Sequence, residues 1–123
     1  MSAILVVDDY IVQQRVLRQV LTTAGYEVTI AADGMEALEY LGTETYALVI
    51  LDIAMPGMDG IEVLTHIRAN ASTSDLPVIM LTASGEDSDR AAARSAGANV
   101  FLNKPASSHE VVSTVEGLIG SAS

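Results

Sequence analysis

Cysteine and tryptophan are absent from this 123-residue sequence, and lysine occurs once, at Lys104. The lack of cysteine excludes disulfide frameworks, thiolate metal sites and cysteine nucleophiles. No apolar run approaches the roughly 18 residues that cross a membrane, and residues 3–7 are too short for a signal peptide. Basic residues are scarce, six against 16 acids, and the net charge of −10 disfavours nucleic acid and anionic lipid. We therefore expect a cytoplasmic protein that binds neither nucleic acid nor membrane.

Hydrophobic residues make up 50% of the sequence, which is enough to fill one core. The expected organisation is a single domain over residues 1–123, with a frayed tail from about residue 120. Five short runs rich in β-branched residues predict strands, at residues 3–7, 27–30, 47–51, 77–81 and 99–102. Three of these runs are continuously apolar, which is typical of strands that are buried on both faces of a parallel sheet.

Segments with helical periodicity separate the predicted strands. The first helix has an apolar stripe, formed by Val12, Val16, Leu17, Val20, Leu21 and Ala24, and is expected to stop at Gly25. Three pairs with capping-box spacing mark later helix starts: Asp33 with Glu36, Asp59 with Glu62, and Ser107 with Glu110. An alanine-rich segment over about residues 87–96 predicts the fourth helix. Five β-α units in succession predict an α/β fold with a parallel sheet and helices on both faces.

Polar residues follow four of the predicted strands. They are Asp8 and Asp9, Asp52, Thr82, and Lys104. Because ligands bind at the carboxyl ends of strands in open α/β sheets, we expect these residues to converge. At ~4 Å and an effective dielectric of ~20, each pair of carboxylates there would repel by about 4 kcal/mol. A divalent cation would reverse that cost, and oxygen ligands favour Mg²⁺ or Mn²⁺.

The same group of residues has the composition of a phosphoryl-transfer site. A carboxylate can attack phosphorus while a cation, the Lys104 ammonium and the Thr82 hydroxyl neutralise the equatorial oxygens. Taken singly, each residue also fits a helix cap, a turn or a surface charge. Their joint placement after four separate strands favours the site.

Four stretches of the sequence resemble the receiver domain of two-component response regulators, including those of the stand-alone chemotaxis-regulator type. They are residues 5–9, 51–60, 81–83 and 97–105, and the resemblance extends over essentially the whole chain. It implies a flavodoxin-like (βα)5 fold, a doubly wound five-stranded parallel sheet with strand order 2-1-3-4-5. It also implies a phosphoacceptor signalling domain, which is not an enzyme except for catalysing its own phosphorylation and dephosphorylation.

The resemblance further implies which residues accept and hold the phosphoryl group. Asp52 would accept it from a histidine kinase or a histidine phosphotransfer protein, in a two-component system or a phosphorelay. The implied Mg²⁺ ligands are the side chains of Asp9 and Asp52 and the backbone carbonyl of Ala54, with Asp8 binding mainly through water. Thr82 and Lys104 would contact the phosphoryl oxygens.

A conformational switch is implied as well. Phe101 would be the aromatic switch that moves inward as Thr82 engages the phosphoryl group, and the Lys104-Pro105 peptide bond would be cis. The face formed by the fourth helix, fifth strand and fifth helix would then change shape and control binding of a downstream protein. The expected state is a monomer or weak dimer. With no output domain in the sequence, it fits a single-domain regulator, a relay intermediate or part of a larger protein.

Ala54 and Ser84 lie two residues after Asp52 and Thr82, at positions that influence the hydrolytic water in receivers. Both are small and uncharged, so the resemblance predicts a fairly long-lived phosphoryl group. Ala54 also argues against a haloacid-dehalogenase-type phosphohydrolase, which needs an acid there, and the glycine fingerprint of dinucleotide binding is missing. The remaining alternative is a phosphorylation-independent pseudo-receiver scaffold. Such domains usually lose part of the acidic pair, the acceptor or the lysine, and this sequence keeps all of them.

Overall fold

The computed structural model describes residues 2–83 and 85–121, in which five strands alternate with five helices. In chain order they are β1 (Ala3–Val7), α1 (Ile11–Thr23), β2 (Glu27–Ala31), α2 (Gly34–Thr43), β3 (Leu48–Leu51), α3 (Gly60–Ala69), β4 (Val78–Thr82), α4 (Asp87–Ala96), β5 (Val100–Asn103) and α5 (Ser108–Ile119). The strands form one parallel sheet in the order β2-β1-β3-β4-β5. The predicted flavodoxin-like topology is therefore confirmed.

The central strands explain why their sequences are continuously apolar. Every residue of β3 and of β4 is buried, because helices cover both faces of the sheet there. β4 and β5 each extend one residue beyond the predicted end, to Thr82 and Asn103, which are partners in the parallel ladder. Backbone pairing thus continues into the polar residues that follow the apolar runs.

Two apolar cores lie on opposite faces of the sheet. Residues of α2, α3 and α4 pack on one face with Leu5 and Val7, and residues of α1 and α5 pack on the other with Ile4 and Val6. The alternation along β1 follows from the two-residue period of a strand. Residues at the strand ends, between these two layers, are left facing the carboxyl edge of the sheet.

The predicted helix starts are confirmed at three helices. The side chains of Asp33, Asp59 and Ser107 accept hydrogen bonds from the backbone N–H groups of Glu36, Glu62 and Glu110, at 2.8, 2.9 and 3.0 Å. Each cap satisfies a backbone donor that has no partner within its own helix.

The predicted stripe on α1 is only partly buried. Leu17 and Leu21 are buried, whereas Val12 and Val16 are 51% and 48% exposed. At about 100° per residue, Val12 and Val16 lie 100° or more around the helix from Leu17, beyond the face that meets the sheet. The apolar residues of α1 thus extend past its packing face.

In the described part of the chain, no helix combines the length and hydropathy that crossing a bilayer requires. Of the predicted frayed tail, residues 122 and 123 lie outside the described residues.

Candidate functional site

The carboxyl edge of the sheet brings together the polar residues that follow the strands. Asp8 follows β1, Asp52 follows β3, Thr82 ends β4 and Lys104 follows β5. Backbone hydrogen bonds fix the two acids, because the N–H of Asp8 donates to Ala31 at 3.1 Å and that of Asp52 donates to Val7 at 3.0 Å. Asp8, Asp52 and Thr82 are 2%, 6% and 0% exposed. The sequence-predicted convergence is therefore present in the structure.

Three carboxylates form an acidic cluster at this edge. Asp8, Asp9 and Asp52 each place a carboxylate oxygen within 4.8 Å of the other two. Asp8 and Asp52 are buried, whereas Asp9 is exposed on the outer side. Oxygen atoms at this spacing suit a hard divalent cation such as Mg²⁺ or Mn²⁺. Hereafter these three residues are called the acidic cup.

Lys104 joins the two buried acids of the cup. Its Nζ donates to Oδ2 of Asp8 at 2.8 Å and to Oδ2 of Asp52 at 3.2 Å, and its side chain is 17% exposed. Burial by itself lowers the pKa of Lys104. The hydrogen bond to Asp8 and the charges of Asp52 and Asp8 outweigh burial and raise the pKa above its usual value. The ammonium therefore remains charged at neutral pH.

The other oxygens of the buried acids are held by the backbone. Oδ1 of Asp8 accepts from the N–H of Tyr10 at 2.9 Å, and Oδ1 of Asp52 accepts from the N–H of Ala54 at 3.3 Å. Gln14 adds a hydrogen bond from its Nε2 to the backbone carbonyl of Asp8, at 2.7 Å. Both Oδ2 atoms are thereby oriented toward the Lys104 ammonium.

Gly60 is a positioning residue that the sequence motifs alone did not single out. Its N–H donates to the carbonyl of Ile53 at 2.9 Å, which places the start of α3 directly against the loop that carries Asp52. A Cβ at Gly60 would collide with the backbone carbonyl of Asp52 and approach the Cα of Ile53 to 2.8 Å. The sequence signal that could have found it is the glycine directly after the α3 cap, Asp59.

The remaining predicted residues have different placements. The Lys104-Pro105 peptide bond is cis, as the resemblance implied, and the N–H of Lys104 donates to the carbonyl of Thr82 at 2.9 Å. Ala54 is exposed beside Asp52. Phe101 is half-buried on β5, outside the acidic cup, with the guanidinium of Arg90 over its ring. Ser84 lies outside the described residues.

The fold and the site together define a small α/β domain with an acidic carboxyl edge in which one lysine joins two buried carboxylates. The family described as "Response regulator receiver domain" matches residues 4–116. The chain belongs to this family, and it is a phosphoacceptor signalling domain of the two-component type. The predicted resemblance to receiver domains is thus confirmed, and the pseudo-receiver alternative is not favoured.

Individual relatives agree with this assignment. The transcriptional regulatory protein CpxR homolog of Haemophilus influenzae is 41% identical over 97% of this chain and 51% of its own length. The chemotaxis protein CheY4 of Vibrio cholerae has a TM-score of 0.91 with 31% identity, covering 96% of this chain and 98% of that one. The receiver domain of the sensor histidine kinase PA1611 of Pseudomonas aeruginosa, solved with a magnesium ion coordinated in its active site cleft, has a TM-score of 0.90 with 34% identity, covering 98% of each chain. The chain spans about half the length of the curated relatives that it matches.

Proposed function

We propose that Asp52 is the residue that accepts the phosphoryl group. The observation that carries the proposal is the Lys104 ammonium, which lies within hydrogen-bonding distance of Asp52 and Asp8 at once. Asp52 follows β3, the central strand; Asp8 follows the neighbouring β1, and Thr82 ends the neighbouring β4. It is therefore the acid that has a carboxylate and an ammonium beside it and Thr82 at the end of the adjacent strand.

The transfer itself is a displacement at phosphorus. An Oδ atom of Asp52 forms the new O–P bond while the P–N bond to the donor histidine breaks, and the departing imidazole keeps the electron pair. The Lys104 ammonium then pairs with a phosphoryl oxygen, and the Thr82 hydroxyl donates to another. Both residues are already at this edge of the sheet, from which they can move toward the phosphoryl oxygens and neutralise their charge.

A divalent cation fits the donor set of the acidic cup. Asp9 and Asp52 would hold Mg²⁺ through carboxylate oxygens, Ala54 through its backbone carbonyl and Asp8 mainly through water, with Mn²⁺ a substitute. The support is that the three carboxylate oxygens lie within 4.8 Å of one another, together with the hard, oxygen-only character of the donors. When bound, the ion supplies positive charge that offsets both the repulsion within the cup and the charge on the phosphoryl oxygens.

The partners follow from this chemistry. The donor is a histidine kinase or a histidine phosphotransfer protein, and the domain catalyses only its own phosphorylation and dephosphorylation. Because such donors are phosphorylated by ATP, we place the domain in the cytoplasm.

The output is a change in the face formed by α4, β5 and α5, with Phe101 as its switch. This change controls binding of a downstream protein. We assign this function to one domain over residues 1–123, acting as a monomer or weak dimer.

Acetyl phosphate, a small phosphodonor, tests the acceptor directly. Incubation with acetyl phosphate and Mg²⁺ should add the mass of one phosphoryl group to the intact protein, and chelation by EDTA should prevent it. Asp52→Asn should remain unmodified, whereas Asp75→Asn, which removes an exposed acid elsewhere, should be modified like the wild type. Labelling of Asp52→Asn would show that the acceptor is another residue, and an unmodified wild type would favour the pseudo-receiver scaffold.

The lifetime of the phosphoryl group has a separate test. The exposed, uncharged Ala54 beside Asp52 cannot orient a water molecule for hydrolysis, so we propose slow dephosphorylation. Intact-mass measurements after removal of the donor should show persistent modification. Loss of the label within seconds would contradict slow dephosphorylation while leaving the acceptor assignment intact.

A further inference from the structure

Arg90 connects α4 to two residues of β5. The carbon at the centre of its guanidinium lies 4.6 Å from the centroid of the Phe101 ring, within the range of a cation–π contact. Its Nη2 also donates to Oδ1 of Asn103, at 2.8 Å. One side chain therefore contacts the proposed switch residue and the last residue of the same strand.

The strand geometry places both contacts on the face that α4 covers. Phe101 and Asn103 are two residues apart, so their side chains point to the same side of β5. In the ladder between β4 and β5, Phe101 is opposite Met80 and Asn103 is opposite Thr82. A displacement of Thr82 toward the phosphoryl group therefore acts on the neighbour to which Arg90 is bonded.

The Phe101 ring is only partly held by packing. It is half-buried at the margin of the core beneath α4, and a cavity of about 130 Å³ opens beside it. A ring that faces an open cavity has no packing partners on that side, so fewer contacts hold it than hold a side chain in the core. The guanidinium of Arg90, which lies over the ring, is one of the contacts that keep it in this position.

We propose that Arg90 is a latch that holds Phe101 in its half-exposed position while Asp52 is unphosphorylated. Phosphorylation releases the latch because the movement of Thr82 disturbs Asn103, which weakens the hold of Arg90 on the ring. Arg90 is thus a positioning residue. It sets the free-energy cost of moving the Phe101 ring, which phosphorylation at Asp52 has to overcome. The proposal rests on the switch role of Phe101 given above.

Beryllofluoride with Mg²⁺, a stable mimic of a phosphoryl group on a carboxylate, provides the test. Removing the latch in Arg90→Ala should tighten beryllofluoride binding about fivefold, the effect of losing one cation–π contact. Arg94→Ala is the matched control, because it removes the same charge one turn further along α4. Phe101 is the only phenylalanine in the sequence, so NMR of phenylalanine-labelled protein reports on this ring alone. In ligand-free Arg90→Ala, the ring signals should move toward their beryllofluoride-bound positions.

Each outcome decides between the proposals. If wild-type protein binds beryllofluoride and Arg90→Ala has the same affinity and ring signals, or binds more weakly, the latch is wrong and the acceptor site stands. An equal gain in Arg94→Ala would show that net charge rather than the ring contact is responsible. If Phe101→Leu abolishes the effect of Arg90→Ala on affinity, the effect passes through the ring as proposed; an undiminished effect would overturn the latch. Wild-type protein that fails to bind beryllofluoride would contradict the proposed function, and with it the latch.

Discussion

Neutralising the proposed phosphoacceptor, in Asp52→Asn, should stabilise the fold when no divalent cation is present. Asp52 is 6% exposed and shares the acidic cup with Asp8 and Asp9. Asparagine has the same shape and keeps an Oδ1 that can accept the hydrogen bond from Ala54. The substitution therefore removes one negative charge, and the oxygen that faced Lys104 becomes an amide NH₂, which cannot accept the hydrogen bond of the ammonium.

The expected size of the effect follows from the distances. At an effective dielectric of ~20, losing the ion pair between Asp52 and Lys104 at 3.2 Å costs about 5 kcal/mol. Removing the repulsion between Asp52 and Asp8 within 4.8 Å returns about 3.5 kcal/mol. The repulsion from the exposed Asp9 adds a smaller, solvent-screened amount. Relief of the burial cost of the Asp52 charge contributes several kcal/mol more. The balance is a net stabilisation of about 2 kcal/mol.

Urea unfolding in low salt with EDTA measures this difference. With a slope of about 1–3 kcal/mol per molar urea, the midpoint for Asp52→Asn should rise by about 1 M over the wild type. Asp75→Asn should leave the midpoint nearly unchanged, since it removes an exposed acid outside the cup. Mg²⁺ should stabilise the wild type more than Asp52→Asn, because the variant has lost a cation ligand. An Asp52→Asn midpoint below that of the wild type in EDTA would refute the electrostatic account of the cup.

Three further predictions concern the fold around the site. Gly60→Ala should lower the free energy of unfolding by about 2 kcal/mol and reduce labelling by acetyl phosphate, because the added Cβ would collide with the Asp52 backbone. The control is Gly42→Ala on α2, where no atom lies near the added Cβ. This variant should be neutral or slightly stabilising. Burial first, and then a nearby glutamate, raise the pKa of Tyr26. The stability that the neutral Tyr26 contributes should therefore be complete below pH about 10 and be lost as the pH rises through its folded-state pKa. Above that pH, the unfolding temperature of Tyr26→Phe should fall less steeply than that of the wild type. Asp33→Ala should lower the free energy of unfolding, measured by heat or urea, by about 1 kcal/mol because it removes the cap of α2. Asp33→Ser should keep most of that stability, because serine can also cap the helix.

The fold was predictable from the sequence because local and global signals agree. The apolar run before Asp52 is a strand buried on both faces, and the acids at the cap positions accept the hydrogen bonds that their spacing predicts. The convergence of Asp8, Asp52, Thr82 and Lys104 follows from the single rule that parallel strands end at the same edge. The order of the strands could not be predicted in this way, because the hydrophobic periodicity of a strand is the same wherever it lies in the sheet. The strand order came only from the resemblance.

Contacts between side chains on different elements were beyond reach from the sequence. The Lys104 ammonium could be placed at the edge, but its double contact with Asp8 and Asp52 depends on side-chain geometry after β5. The position of Arg90 over Phe101 depends on how α4 lies across the sheet. The alanine-rich sequence of that helix, in which only Ala93 is buried, offers no large apolar side chain that would determine its rotation. Val12 and Val16 show the opposite limit, since an apolar stripe wider than the packing face does not reveal which residues remain exposed.

The position of Lys104 explains how phosphorylation can change the domain through so few atoms. In the unphosphorylated domain its ammonium is shared by Asp8 and Asp52, so the two buried charges are only partly compensated. The proposed phosphorylation would replace the single charge of Asp52 by one of about −1.5 to −2, carried further out on the phosphoryl oxygens. The ammonium would follow that charge and loosen its hold on Asp8, while the Thr82 hydroxyl would be drawn to another phosphoryl oxygen. Because the N–H of Lys104 bonds to the Thr82 carbonyl, the two groups move as neighbours on β4 and β5. β5 carries Phe101 and Asn103, and Asn103 pairs with Thr82, so the added charge at the cup would reach the proposed Arg90 latch through Thr82.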